Sequence, residues 1–89
     1  MIYTVELIIL NKDGVRDPEG ETIQKYAVEK FDKRVLETRA GKYLLFKVET
    51  VSPEDAELII RKIAQDARLY NPIVHKIVTR VIRAEDGSH

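Results

Sequence analysis

Over residues 3–10 the odd positions Tyr3, Val5, Leu7 and Ile9 are all apolar, while the even ones include Thr4 and Glu6. Successive side chains of a strand point to opposite faces, so this period of two predicts a strand with one face committed to a core. A strand of that kind needs a second layer to bury its apolar face. Two helix starts in the chain can supply it. Asp17-Pro18 and Ser52-Pro53 each put a capping side chain ahead of a proline at the first helical position, where the missing N–H costs nothing. After the first, Ile23, Tyr26, Ala27 and Phe31 give the inner stripe of a helix running to about residue 31. After the second, Ala56, Ile59, Ile60, Ile63, Ala64 and Ala67 form the cleanest helical pattern in the chain, and Asp55 stands where a capping-box acid reaches back to the Ser52 amide. Asn71 and Pro72 stop this helix, asparagine tolerating the left-handed backbone and proline unable to continue a helix.

Between the helices, residues 35–39 and 43–50 read as two strands joined near Ala40 and Gly41, glycine supplying the positive φ of a tight hairpin. Residues 73–82 read as a last strand, and 84–89 as a frayed tail of the single domain 1–89. The order is strand, helix, strand, strand, helix, strand. That predicts an α+β, ferredoxin-like βαββαβ sandwich, an antiparallel sheet with two helices on one face. On the other face Ile8, Leu10, Tyr43 and Leu45 lie among Glu6, Lys47 and Glu49. At roughly 25 cal/mol per Å² of apolar surface, covering those four side chains is worth several kcal/mol. A second subunit is expected to cover them.

Composition narrows the function. The chain balances 15 basic against 15 acidic residues, so it carries no overall field for a phosphate backbone or an anionic membrane. It has no cysteine, which excludes a thiol nucleophile and a Cys-ligated metal, and its imidazoles are His75 and His89, well apart in sequence. The longest aliphatic run near Met1 is far short of a signal-peptide core or a membrane span, and a cytoplasmic protein is expected.

No catalytic constellation is legible. Ser52 is accounted for as a cap, and Ser88 sits in the polar tail. His75 belongs in or beside the last strand, and Glu19, Glu21, Glu54, Asp55 and Glu57 cluster at helix starts, where the dipole favours acids. The loop of residues 12–20 feeds a helix N-terminus, the geometry that binds phosphate. It sets Asp13, Asp17 and Glu19 against Lys12 and Arg16, however, and lacks the Walker lysine followed by Ser or Thr. Lys42, Tyr43 and Phe46 fall short of an RNA-recognition signature.

Three punctuating segments carry a resemblance. Lys12, Gly14, Val15, Asp17, Pro18 and Gly20 after the first strand resemble the corresponding loop of the PurS family; Arg39, Gly41 and Lys42 resemble its hairpin; Leu69, Asn71, Pro72, Ile73 and Val74 resemble its segment after the second helix. His75 departs from the pattern, which has an acid there. The resemblance covers nearly the whole chain. It implies a non-catalytic subunit of phosphoribosylformylglycinamidine synthase that bridges an ATP-dependent synthetase and a glutaminase so that ammonia passes between them. It also implies a homodimer or dimer of dimers, with no cofactor of its own, the complex using ATP, magnesium and glutamine. Gly14, Pro18, Gly20, Gly41, Asn71 and Pro72 are then structural motif positions. Lys12, Arg16, Asp17, Arg39 and Lys42 become candidates for the partner interface, because a turn does not require their charge, and His75 joins them as a surface or interface side chain in or beside the last strand. Arg39 and Lys42 are the first of these. A ligand-binding regulatory module of the same fold, dimeric through its sheet, is the alternative.

Overall fold

The computed structural model describes residues 1–86. Its sheet has three strands in the order β2-β1-β3, with β1 (Ile2–Asn11) central and β2 (Gly41–Glu49) and β3 (His75–Glu85) antiparallel to it on either side. The alternation of β1 survives into burial: Val5 and Leu7 are fully buried, Tyr3 and Ile9 nearly so. Register then decides what joins them. Val5 lies opposite Phe46 and Val81, Leu7 opposite Leu44 and Thr79, and Ile9 opposite Lys42 and Ile77.

The second helix, Pro53–Asp66, closes this face. Ala56, Ile60 and Ala64 repeat every four residues and are buried against the sheet, their small and branched side chains letting helix and sheet approach closely. Ile63 and Ala67, expected in the same stripe, stay exposed, so the buried stripe is narrower than the apolar pattern. Ser52 caps the start, its hydroxyl accepting the Asp55 N–H at 3.1 Å. The Asp55 carboxylate does not reach back to the Ser52 amide; it accepts from the Thr50 hydroxyl instead. The end also differs from expectation. Arg68, not Asn71, takes the left-handed backbone, at φ 55°, while Leu69 N–H reaches the Ala64 carbonyl at 2.9 Å and Arg68 N–H the Gln65 carbonyl at 3.2 Å. That pair of bonds is a Schellman closure, which needs one left-handed residue directly after the helix. Asn71 instead organises the turn into β3, its Oδ1 accepting the Ile73 N–H and its carbonyl the Val74 and His75 N–H groups.

The first helix is where tertiary structure departs furthest from the reading. Pro18–Ile23 runs without a break through a π-helical turn, Gln24–Val28, into Glu29–Phe31. Its backbone does not approach the strands. Of the expected inner stripe, Ile23, Tyr26 and Phe31 are exposed, Phe31 by 90 %. The cause lies in residues 35–39, which form no strand, so the expected four-stranded sheet has three strands and the hairpin at Ala40 and Gly41 is absent. The Val35 carbonyl accepts a 2.6 Å bond from Gln24 Nε2, and the Thr38 hydroxyl donates to Gln24 Oε1. The segment is thus held by the helix rather than by a strand edge.

Gly41 accordingly needs no positive φ. It opens β2 opposite Leu10, and a Cβ there would fall on the Ile9 carbonyl oxygen. At the other end of the sheet β3 continues past the expected limit: Ala84 pairs with Tyr3 and Glu85 with Ile2, so these two residues are strand and not tail. Between Thr4 and Val5 the register shifts against β3, which fits an extra residue at Ile82 and a bulge that increases the local twist. His89 and Ser88 lie outside the described residues.

Candidate functional site

The three segments that carry the resemblance converge at one end of the sheet. β1 ends at Asn11, which pairs with His75 at the start of β3, and Leu10 pairs with Gly41 at the start of β2. Antiparallel pairing therefore brings together loops that are far apart in sequence. A cleft of about 290 Å³ at this end is lined by residues of all three, among them Asn11, Asp17, Gly41, Lys42, Leu69 and His75. A second cleft, about 600 Å³ and open to solvent, adjoins it through Leu69 and His75 and includes Arg68, Asn71 and Pro72.

Asp17 is the hub of this end. It is buried, its Oδ1 accepts the Gly20 N–H at 3.0 Å and its Oδ2 the Ala40 N–H at 2.7 Å. Those backbone donors, Ala40 first, then Gly20, with the Arg39 guanidinium 4.0 Å away, hold its carboxyl below the usual aspartate range. One carboxylate thus starts the first helix and pins the segment that returns to β2. Gly20 allows it: a Cβ at that position would collide with the Thr38 carbonyl oxygen and with Asp17 Oδ2. Gly14, at φ 86°, turns the loop ahead of it, with nothing near enough to crowd a side chain.

Arg39 also spends its charge within the chain. Its Nη2 donates to the carbonyls of Asn11 at 2.6 Å and Lys12 at 3.3 Å, tying the end of β1 to the strand entry opposite. Arg16 bonds Glu21 at 2.9 Å on the open surface, a pair worth little in water. Asn11 Nδ2 donates to the Arg16 carbonyl, and Asp13 meets Lys76 of β3 at 3.3 Å. Lys12 and Lys42 are exposed, and neither makes a side-chain ion pair or hydrogen bond among the described residues. His75 is half-buried, and its Nδ1 accepts the Asn71 N–H at 3.0 Å, which places its remaining proton on Nε2. The structure thus separates the six candidates into an inward pair, Asp17 and Arg39, a half-buried His75 bonded to the Asn71 backbone, and the outward charges Lys12, Arg16 and Lys42.

A different cluster escaped the sequence reading. On the sheet face away from the second helix, Glu6 of β1 lies between Tyr43 of β2 and Arg80 of β3. Its Oε2 accepts from the Tyr43 hydroxyl, and its Oε1 accepts from Arg80 at 2.8 Å from Nε and 2.7 Å from Nη2. Glu6 is buried, and the Tyr43 hydroxyl, followed by Arg80, lowers its carboxyl from the ordinary value, burial opposing them; the same contact raises the Tyr43 hydroxyl. Around it Tyr43, Leu45, Val78 and Ile82 are exposed, so the outer face expected from Ile8, Leu10, Tyr43 and Leu45 extends onto β3. A lone acid at an even position of an apolar strand was the available signal. Register was needed to set Arg80 opposite it.

Among the described residues no cluster of three or more His, Cys, Asp or Glu could hold a metal ion, and no helix is long and apolar enough to cross a membrane.

Comparison with known proteins agrees with the loop geometry. Residues 4–83 match the family model described as PurS: Phosphoribosylformylglycinamidine (FGAM) synthase. The phosphoribosylformylglycinamidine synthase subunit PurS of Thermotoga maritima is 35 % identical over 79 residues, spanning 89 % of this chain and 95 % of that protein. Among solved structures, the crystal structure of the T. maritima subunit superposes with a TM-score of 0.80 at 29 % identity, covering 92 % of this chain and 93 % of that one. Methanocaldococcus jannaschii PurS gives 0.77 at 26 %, over 93 % and 99 %. A chain in the T. maritima PurLQS structure gives 0.79 at 29 %, over 92 % and 99 %. With its three loop motifs gathered at one end of an α+β sheet and a family match over nearly its whole length, the chain belongs to the PurS family, subunits of the phosphoribosylformylglycinamidine synthase of purine biosynthesis.

Proposed function

We propose that this chain is the non-catalytic assembly subunit that joins the ATP-dependent synthetase and the glutaminase of phosphoribosylformylglycinamidine synthase, supporting passage of ammonia from glutamine to formylglycinamide ribonucleotide. The observation that carries the reading is the likeness, over 92 % of this chain, to a chain of the PurLQS structure. ATP, magnesium and glutamine then act on the partner subunits, in the cytoplasm, and this chain contributes surface.

Two surfaces support that role. At the loop end, Lys12 and Lys42 project charge that no turn requires, the kind of group that tunes partner choice and encounter rate at an interface rim. On the outer sheet face, half-exposed Tyr43, Leu45, Val78 and Ile82 favour a homodimer built face to face, with a dimer of dimers as its extension. The first helix carries a second apolar surface in Ile23, Tyr26 and Phe31.

Reconstitution tests the proposal: the synthetase and glutaminase are assayed for glutamine-dependent product with and without this chain, and for ammonia-dependent product as a control. Glutamine-dependent turnover is expected to need the chain, and ammonia-dependent turnover is not. Equal coupling in its absence would end the bridging assignment. Lys42→Glu is expected to weaken co-purification with the larger subunits while leaving the thermal melt unchanged. Arg39→Glu is expected to lower the melt as well, because it sets a carboxylate against the Asn11 and Lys12 carbonyls.

A further inference from the structure

We infer that the Glu6–Tyr43–Arg80 cluster is the specificity determinant of the contact between two copies of this chain, the feature that a docking sheet face must match. The inference rests on the self-association proposed above and names the residues that govern it.

The cluster takes one residue from each strand and sits in the middle of the outer face. Glu6 offers nothing to a partner: its side chain is only 9 % exposed and both its oxygens are already engaged. What remains open is of two kinds. Arg80, 70 % exposed, keeps N–H donors that Glu6 does not use, since a guanidinium has five. The Tyr43 oxygen keeps acceptor capacity after donating its proton.

A two-fold contact sets each patch against its own rotated copy. A face that carries a spare donor and a spare acceptor side by side can therefore satisfy itself, Arg80 of each copy reaching the other copy's Tyr43. A strongly charged partner has less to gain here. The cluster pairs its own acid and base, and Lys47 faces Glu85 at 3.8 Å across the same face. The surrounding apolar side chains supply area without orientation and would accept several registers. A polar network in such a contact penalises every register that leaves it unmatched, which is how charged groups set specificity more than strength.

Sedimentation equilibrium of the full chain over a micromolar range tests this, with circular dichroism melts to verify that each variant folds. Arg80→Met leaves the Glu6 carboxylate without its counter-charge at the contact, with only the Tyr43 hydroxyl still bonded to it, and is expected to weaken the dimer at least about tenfold. The double variant Glu6→Leu with Arg80→Met removes both charges and is expected to restore association while giving a mixture of sizes in place of one species. Should Arg80→Met fail to fold, Arg80→Lys keeps the charge with fewer donors and is expected to show the same loss in weaker form. A dimer whose dissociation constant is unchanged in every variant would overturn the role of the cluster and leave self-association standing. A purely monomeric parent chain would overturn self-association and the inference with it.

Discussion

The two helices begin alike and end in different surroundings. Each opens with a capping side chain followed by proline, and both caps are made, Asp17 to the Gly20 N–H and Ser52 to the Asp55 N–H. The second helix then buries Ala56, Ile60 and Ala64 on the sheet, whereas the first leaves Ile23, Tyr26 and Phe31 in solvent. Capping is local and satisfies the orphan N–H groups of a helix start wherever that helix lies. Packing is not local, and an apolar stripe predicts burial only when a matching surface is within reach. The first helix was denied one when residues 35–39 stayed out of the sheet. Its apolar stripe is therefore free for a partner, and the stripe of the second is spent on the fold.

The comparison can be broken most directly at the stripes. Ile60→Ala opens a cavity under the second helix and is expected to cost about 2–5 kcal/mol of unfolding free energy in a urea titration. Phe31→Ala is expected to change it by no more than about 0.5 kcal/mol, as for a surface position. Equal losses would mean that the first helix packs on the body in solution. Next in size is Gly20→Ala, which forces a methyl group against the Thr38 carbonyl and Asp17 and is expected to cost about 1–3 kcal/mol, chiefly through the first helix. Wild-type stability of this variant would contradict the close approach at the loop end.

The caps sharpen the contrast further. Ser52→Ala is expected to cost about 1 kcal/mol. Asp17→Ala is expected to cost more, because it also strands the Ala40 N–H. The two caps also differ in charge: the Ser52 hydroxyl does not titrate in acid, and the Asp17 carboxyl does. Its folded value lies below the usual one near 3.8, so its contribution is fully present above that pH and is lost as the pH falls through the folded value. Amide hydrogen exchange below about pH 3.8 should therefore release the first helix before the second. Loss of both together would refute the assignment. A gain in stability is expected at the exit of the second helix, where Arg68→Gly relieves a left-handed non-glycine residue and should stabilise the chain by about 1 kcal/mol in the same urea titration.

Much of the body was legible in the sequence for reasons that do not depend on distant contacts. The alternation of Tyr3, Val5, Leu7 and Ile9 had one reading as a half-buried strand, and the second helix combined a cap, a proline and a stripe that agreed with one another. The loop motifs were legible as turns, and their resemblance to a family was borne out by the match over residues 4–83. Less accessible was how each motif residue is used. Arg39 read as interface charge because a turn does not need it, and Asp17 as a cap with charge to spare, yet Arg39 holds the Asn11 and Lys12 carbonyls and Asp17 also holds the Ala40 N–H, all more than twenty residues away. Residues 35–39 include strand-forming Val35 and Thr38, but a strand also needs a partner edge, and the Gln24 side chain of the first helix holds the Val35 carbonyl and the Thr38 hydroxyl instead.

The sequence by itself determined the elements whose causes are local: the period of two in β1, the proline-led helix starts, the stripe of the second helix and the loop segments that mark the family. Tertiary structure alone decided that the sheet has three strands, that the first helix stands off it, that three distant loops share one cleft, and that Glu6 meets Tyr43 and Arg80. The physical reason is one of range. Backbone propensity and capping act over a few residues, whereas strand register and burial are settled only when the whole chain competes for the same partners.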